Sequence, residues 1–179
     1  MVRKLLSLLM ALLLFPAAAI AERVIDDAHA LSDAVEARLE EELASILQAY
    51  QTEMIVLITH DVPDDYSDDL HTVQAYADDY YDAGCYGVGD DHTGMLYLID
   101  LNNRVQYIST CGRMVQVFGD TEMDALFDAT QEYLAVQNWD EAMLVAVMQA
   151  KNSLQDAPET GETVLYSILR TLLMGGNSE

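Results

Sequence analysis

Basic residues are scarce in this 179-residue chain: 8 Lys and Arg stand against 31 Asp and Glu, for a formal net charge of -23. Between Leu39 and Asn103 there is no Lys or Arg at all, while fifteen Asp and Glu fall in that interval. Such a surface repels phosphate backbones and attracts cations, so nucleic acid is excluded as an expected partner. The same charge also serves plain solubility, with carboxylates scattered over a wet surface. Cysteine is nearly absent, with Cys85 and Cys111 alone. Two cysteines do not make a disulfide scaffold, and a chain of this length buries a core without one. No apolar run approaches the ~20 residues that a membrane-crossing helix needs. Motifs of nucleophilic and nucleotide chemistry are missing too: there is no GxSxG, no P-loop and no CxxC. His29, His60, His71 and His92 lie at no spacing that resembles a zinc site.

What is present begins with the first 21 residues. Arg3 and Lys4 precede an apolar run from Leu5 to Phe15, and Ala19-Ile20-Ala21 supplies small residues at both key positions. This is the pattern of a secretory signal peptide, and the expected cut follows Ala21. The alternative is an uncleaved amphipathic start. Removing residues 1–21 takes away two basic groups and no acidic ones, so the expected mature chain carries -25 and is secreted or extracytoplasmic.

Beyond it the hydrophobic periods alternate. Val35, Leu39, Leu43, Ile46 and Tyr50 behind Ser32 predict an amphipathic helix over 33–50. The unbroken run in "EMIVLITH", residues 53–60, predicts a strand covered on both faces. Pro63 and the "PDDYSDD" cluster break the chain, and Leu70, Val73, Ala77 and Tyr80 or Tyr81 mark a second helix to about Asp82, with Ser67 as a candidate cap. A strand, a helix and a strand imply a right-handed crossover between parallel neighbours. Met95–Asp100 and Arg104–Ser109 predict two further strands joined through Asn102-Asn103, since Asn tolerates positive φ. Two more helices are expected, from Asp120 or Thr121 through Met123, Leu126, Phe127, Thr130 and Leu134, and over Trp139–Leu154. The fold class that follows is α/β, a three-layer α/β/α sandwich around a small mixed sheet, spanning 22–154. Residues 155–163 read as a linker. Val164–Met174 is apolar nearly all round: a further docked helix, a membrane-surface segment or a binding segment for an envelope protein.

These strand directions bring the loop 84–94 to the same sheet edge as 110–120. That edge collects Asp90, Asp91 and Asp120, carboxylates of the kind a hard divalent cation such as Ca²⁺ takes. Without any metal, Asp120 suits a helix N-terminus and Asp90-Asp91 suits a turn. The EF-hand pattern is not met. Cys85 and Cys111 fall at the same edge, either as a disulfide worth roughly 3 kcal/mol in the chain-entropy model or as free thiols. His60 and Asp61 lie at the opposite edge, at the carboxyl end of a parallel strand, where ligands often bind. Ser109, Thr110 and Cys111 are nucleophile types with no identifiable base.

With these residues named, the chain resembles the TPM-domain family in its secreted bacterial form. "RVIDDAHALS" is similar to the family's opening at Val24, Asp26, Ala28, Leu31 and Ser32. "GVGDDHTGMLYLI" is similar to its acidic-glycine loop and following strand, and "NRVQYISTCG" matches at Arg104, Ile108, Ser109, Thr110, Cys111 and Gly112. Here "DDHTG" departs from the family's Asp-x-Gly by holding two residues between Asp91 and Gly94. The resemblance implies an extracytoplasmic α/β/α domain. It further implies Ca²⁺ at Asp90 or Asp91, with Asp26 and Asp120 as further ligands, and a role as an interaction or maintenance module at the cell envelope. The alternative it implies is a metal-assisted acid phosphatase. A third reading is a structural partner domain that binds through 164–174.

Overall fold

Four short apolar runs become strands, and the amphipathic stretches between them become the helices that cover them. The computed structural model describes residues 22–60, 62 and 70–157. The elements in order are β1 (Val24–Asp26), α1 (Asp33–Tyr50), β2 (Glu53–Thr59), α2 (Leu70–Ala83), β3 (Gly94–Asp100), β4 (Val105–Cys111), α3 (Met114–Val117), α4 (Asp120–Ala135) and α5 (Trp139–Asp156). One sheet runs in the order β1-β2-β3-β4, with the first three parallel and β4 antiparallel to β3.

The two faces of the sheet explain why β2 and β3 carry no polar alternation. On one face Val56, Ile58, Met95 and Tyr97 pack with Leu39, Leu43 and Ile46 of α1, Leu126 of α4 and the Met143–Val147–Ala150–Leu154 stripe of α5. On the other, Ile55, Leu57, Leu96 and Leu98 meet Val73, Ala77 and Tyr81 of α2. A strand buried on both sides leaves its interior positions to apolar residues; every residue of β3 is buried, and its one carboxylate, Asp100, stands at its end. The result is the three-layer α/β/α sandwich, one outer layer of three helices and the other of one.

Local chemistry sets the ends of the elements. Ser32 precedes α1 without capping it: its backbone N–H and hydroxyl bind the two carboxylate oxygens of Asp140, at 2.9 and 2.8 Å, tying the start of α1 to the first turn of α5. Asn138 caps α5 by accepting from the backbone N–H of Glu141. Gly94 opens β3 because nothing larger fits. A Cβ there would overlap the Tyr81 hydroxyl and the Glu53 carbonyl oxygen of the paired strand.

The structure adds two elements to the sequence reading and revises one expectation, that Asn102-Asn103 supplies the positive φ of the hairpin turn. β1 and α3, three and four residues long, were not expected. The β1–α1–β2 and β2–α2–β3 connections advance the same way across the sheet, yet α1 and α2 lie on opposite faces. They are therefore of opposite hand, so the right-handed rule, applied above to the β2–α2–β3 connection, does not hold for both crossovers of this sheet. In the β3–β4 turn, Arg104 adopts positive φ (56°) rather than either Asn. Among the described residues no helix is long and apolar enough to cross a membrane. The expected signal peptide 1–21, Ser67, Asp61, most of the linker and the segment 164–179 lie outside the described residues.

Candidate functional site

The sheet has two ends, and they differ in how their polar groups are used. At the end where β3 begins, residues 88–93 form a tight turn closed by paired backbone bonds between Val88 and Thr93, at 3.0 and 2.9 Å. Asp91 is held inside that turn: its carboxylate accepts from the Thr93 hydroxyl at 3.0 Å and from the Thr93 N–H at 3.3 Å. Thr93 Oγ1 accepts in turn from the backbone N–H of Arg113 at 3.0 Å, which fastens the acidic turn to the exit of β4. Gly112 makes this approach possible, because at φ 59° a Cβ would sit 2.6 Å from Thr93 Oγ1 and 2.7 Å from the Asp91 carbonyl oxygen. The Arg113 guanidinium donates to the Tyr50 carbonyl (2.8 Å) and to Thr52 Oγ1 (3.1 Å). Glu53 receives the Gly87 N–H at 2.8 Å, and the Tyr81 hydroxyl donates to the His92 carbonyl at 3.1 Å. Asp90 is exposed, and its carboxylate has no partner among the described residues.

Beside this turn stands a tyrosine cluster. Tyr80 and Tyr86 stack with ring centroids 6.3 Å apart, and Tyr81 tilts against Tyr86 at 5.9 Å. Burial pushes the Tyr80 phenol up to about 12, helped by the neighbouring Tyr86 and Asp27. Burial raises Tyr81 further, with Cys111 and Glu53 adding to it.

The predicted ligand set is only partly brought together. Asp90 and Asp91 are adjacent at this end, as the strand directions required. Asp120 opens α4 as a first-turn carboxylate, in the helix-terminal role given above as its metal-free alternative. Asp26 is at the other end of the sheet: it pairs in register with Ile58, five residues of rise from the Glu53–Gly94 pair, or roughly 16 Å. Both of its oxygens are engaged, by the N–H groups of Ala30 (3.0 Å) and Leu31 (2.8 Å), so it builds the loop after β1. Among the described residues no three His, Cys, Asp or Glu side chains form a group able to hold a metal ion. The cysteines are free thiols. Cys85 lies exposed in left-handed backbone (φ 52°), and the Cys111 sulfur contacts the Asp91 carbonyl at 3.5 Å.

Ser109, another nucleophile type, is committed as well: its hydroxyl donates to Asp78 Oδ1 at 2.5 Å.

The opposite end carries a cleft of about 970 Å³ that the sequence reading touched only through His60. His29 comes from the loop after β1, His60 from the end of β2, Arg104 and Gln106 from the β3–β4 hairpin, and Trp139 from the start of α5. Asp100 at its base is fully buried and fully used: its carboxylate accepts from Asn102 N–H (3.1 Å), Asn103 N–H (3.3 Å) and Asn103 Nδ2 (2.7 Å). Asn102 also bridges to His60, through its ring Nδ1 at 3.2 Å and its backbone carbonyl. No sequence motif marks this cleft, because its walls come from five separate segments.

Comparison with known proteins now has a geometry to meet. A family model described as the TPM domain matches residues 24–153. The fold is shared with solved domains at low identity. The N-terminal domain of a protein from P. gingivalis aligns with TM-score 0.62 and 17% identity over 80% of this chain and 90% of that one. The N-terminal domain of the cg2496 protein of Corynebacterium glutamicum gives 0.56 and 16%, over 78% and 85%. The BA42 protein of the psychrophile Bizionia argentinensis gives 0.57 and 14%, over 74% and 88%. The comparison with curated proteins finds no match.

Proposed function

The chain belongs to the TPM-domain family, and from that premise we propose that it is an extracytoplasmic binding module that takes Ca²⁺ at its acidic turn and works by contact with envelope components. The observation that carries this reading is Asp90: an unpartnered carboxylate beside Asp91, on a turn pinned from both sides by Thr93 and Gly112. A cation there would have the Asp90 carboxylate as its free ligand and the remaining lone pairs of Asp91 beside it, with carbonyl and water oxygens making up the six to eight that Ca²⁺ takes. So few carboxylates suit a weak, exchangeable site of the extracellular class, with Kd of about 10⁻⁴–10⁻³ M. The net charge of -23 raises the local cation concentration around it.

Binding is favoured over hydrolysis because Ser109, the nucleophile type whose hydroxyl donates to a carboxylate, Asp78, as an activated nucleophile's would, is buried. Export through residues 1–21 is part of the proposal, since it would put the chain where millimolar Ca²⁺ is available.

At 10 to 100 times Kd, linkage stabilises the fold by about 1.4–2.7 kcal/mol, several degrees in Tm. The expected result is a Tm that rises with millimolar Ca²⁺ in wild type and stays flat in the Asp90→Ala/Asp91→Ala double variant. Equal melting curves with Ca²⁺ and with chelator would sink the reading. Chelator-sensitive release of phosphate from an aryl phosphate would replace it with the metal-assisted acid phosphatase. Deleting 164–174 and assaying membrane association separates the contact role of that segment from the cation site.

A further inference from the structure

The cleft at the carboxyl end of the sheet is unlike the rest of this acidic molecule. Among the described residues lining it, one carboxylate, Asp100, stands beside Arg104, His29 and His60. That one carboxylate is spent within the β3–β4 turn, where three donors from Asn102 and Asn103 surround it. His60 is tied to Asn102 through its ring Nδ1, and other donors of the cleft are free. Arg104, like Arg38 on α1, is exposed and has no ion pair or hydrogen bond among the described residues, whereas Arg23, Arg113 and Lys151 are engaged. Gln106 Oε1 lies within hydrogen-bond distance of the Tyr97 hydroxyl, at 2.7 Å, and of Thr130 Oγ1, at 3.1 Å. Its Nε2 has no partner among the described residues, and Gln106 lines the cleft.

The apolar part of the wall is equally uncovered. Trp139 and Leu134 are half-buried beside Leu101, and Val136 keeps 72% of its surface exposed. A volume of about 970 Å³ is ample for a small organic molecule, and the ends of parallel strands are where such ligands sit. Backbone strain points the same way. Among the described residues six non-glycine residues have positive φ, and three of them, His29, Arg104 and Gln137, line this cleft. Left-handed backbone is unfavourable for a residue with a Cβ, and such strain gathers where side chains are placed for binding.

We propose that this cleft binds a small organic anion, with its carboxylate, phosphonate or phosphate group on Arg104 and its apolar body against Trp139, Leu134 and Val136. Arg suits the anionic group because its planar fork can give two parallel N–H donors to two oxygens. The site lies at the far end of the sheet from Asp90 and Asp91 and needs no cation, so it stands or falls apart from the acidic turn.

Trp139 is the one tryptophan of the chain, so tryptophan-selective fluorescence reports on the cleft alone. Phenylphosphonate is the probe, titrated into the full chain with chelator present. The expected result is a saturable change in Trp139 emission, weakened at least tenfold in Arg104→Gln and unchanged in Asp90→Ala/Asp91→Ala. Because Arg104 is exposed and unpaired, Arg104→Gln keeps its Tm, which shows that the variant is folded. Inorganic phosphate and benzyl alcohol, each carrying half of the probe's chemistry, should bind at least tenfold more weakly. No saturation through the millimolar range would overturn the proposal, as would equal affinity of Arg104→Gln or equal binding of inorganic phosphate.

Discussion

The two ends of the sheet hold similar inventories of polar side chains and use them in opposite ways. At the acidic end Asp91, Thr93 and Arg113 are joined in one chain of hydrogen bonds, Tyr81 and Glu53 hold the loop backbone at His92 and Gly87, and the Asp90 carboxylate stays open. At the cleft end the turn residues Asp100, Asn102 and Asn103 satisfy one another, and this leaves Arg104, His29 and one nitrogen of Gln106 facing no protein partner. Density of charge is thus a poor guide to a binding site. A group already satisfied by its neighbours holds a loop in shape, whereas one left over is free to meet a ligand.

The largest way to break this contrast is at Gly94. Gly94→Val drives a side chain into Tyr81 and the Glu53 carbonyl at once, and should cost at least about 3 kcal/mol in chemical denaturation, taking the acidic turn with it. Retention of wild-type stability would show that the start of β3 is looser than described.

Alkali gives the next effect. Tyr80 and Tyr81 at the acidic end, and Tyr97 beneath the cleft, all have phenols raised by burial above their unfolded value of about 10. The unfolded chain loses these protons first, so their contribution to stability is complete below pH 10 and is lost as pH climbs through the folded values, beginning near 12 for Tyr80. Circular dichroism and tyrosinate absorbance followed together above pH 10 should change in one transition. Full tyrosinate absorbance near pH 10 in a folded protein would refute the burial assigned to the cluster.

Two arginines sharpen the contrast more finely. Arg113→Gln removes charged donors to Tyr50 and Thr52 and should destabilise by about 2 kcal/mol. Arg104→Gly removes no protein contact and relieves positive φ, so it should stabilise by about 0.5 kcal/mol while abolishing phenylphosphonate binding. Equal losses from the two substitutions would erase the distinction between the ends.

The sequence carried the helices and the long strands because their buried positions recur at one period. Leu39, Leu43, Ile46, Val73, Ala77, Met143, Val147, Ala150 and Leu154 are buried where the spacing put them. It did not carry β1, whose three residues are too few to show a period. Nor could spacing separate Asp26 from Asp90, since both are Asp beside turn residues and only the strand register places them at opposite ends. The cleft was hidden for a related reason. Its free donors become visible only after Asn102, Asn103, Tyr97 and Thr130 are seen to have claimed their neighbours.

An amide-resolved NMR titration of one sample tests the division of the molecule most directly. Ca²⁺ should shift the amides of residues 88–94 and 111–113, and phenylphosphonate should shift those of 29–30, 100–106 and 131–139, as two separate sets. A single set moved by both ligands, or shifts from either one at the wrong end of the sheet, would contradict the account.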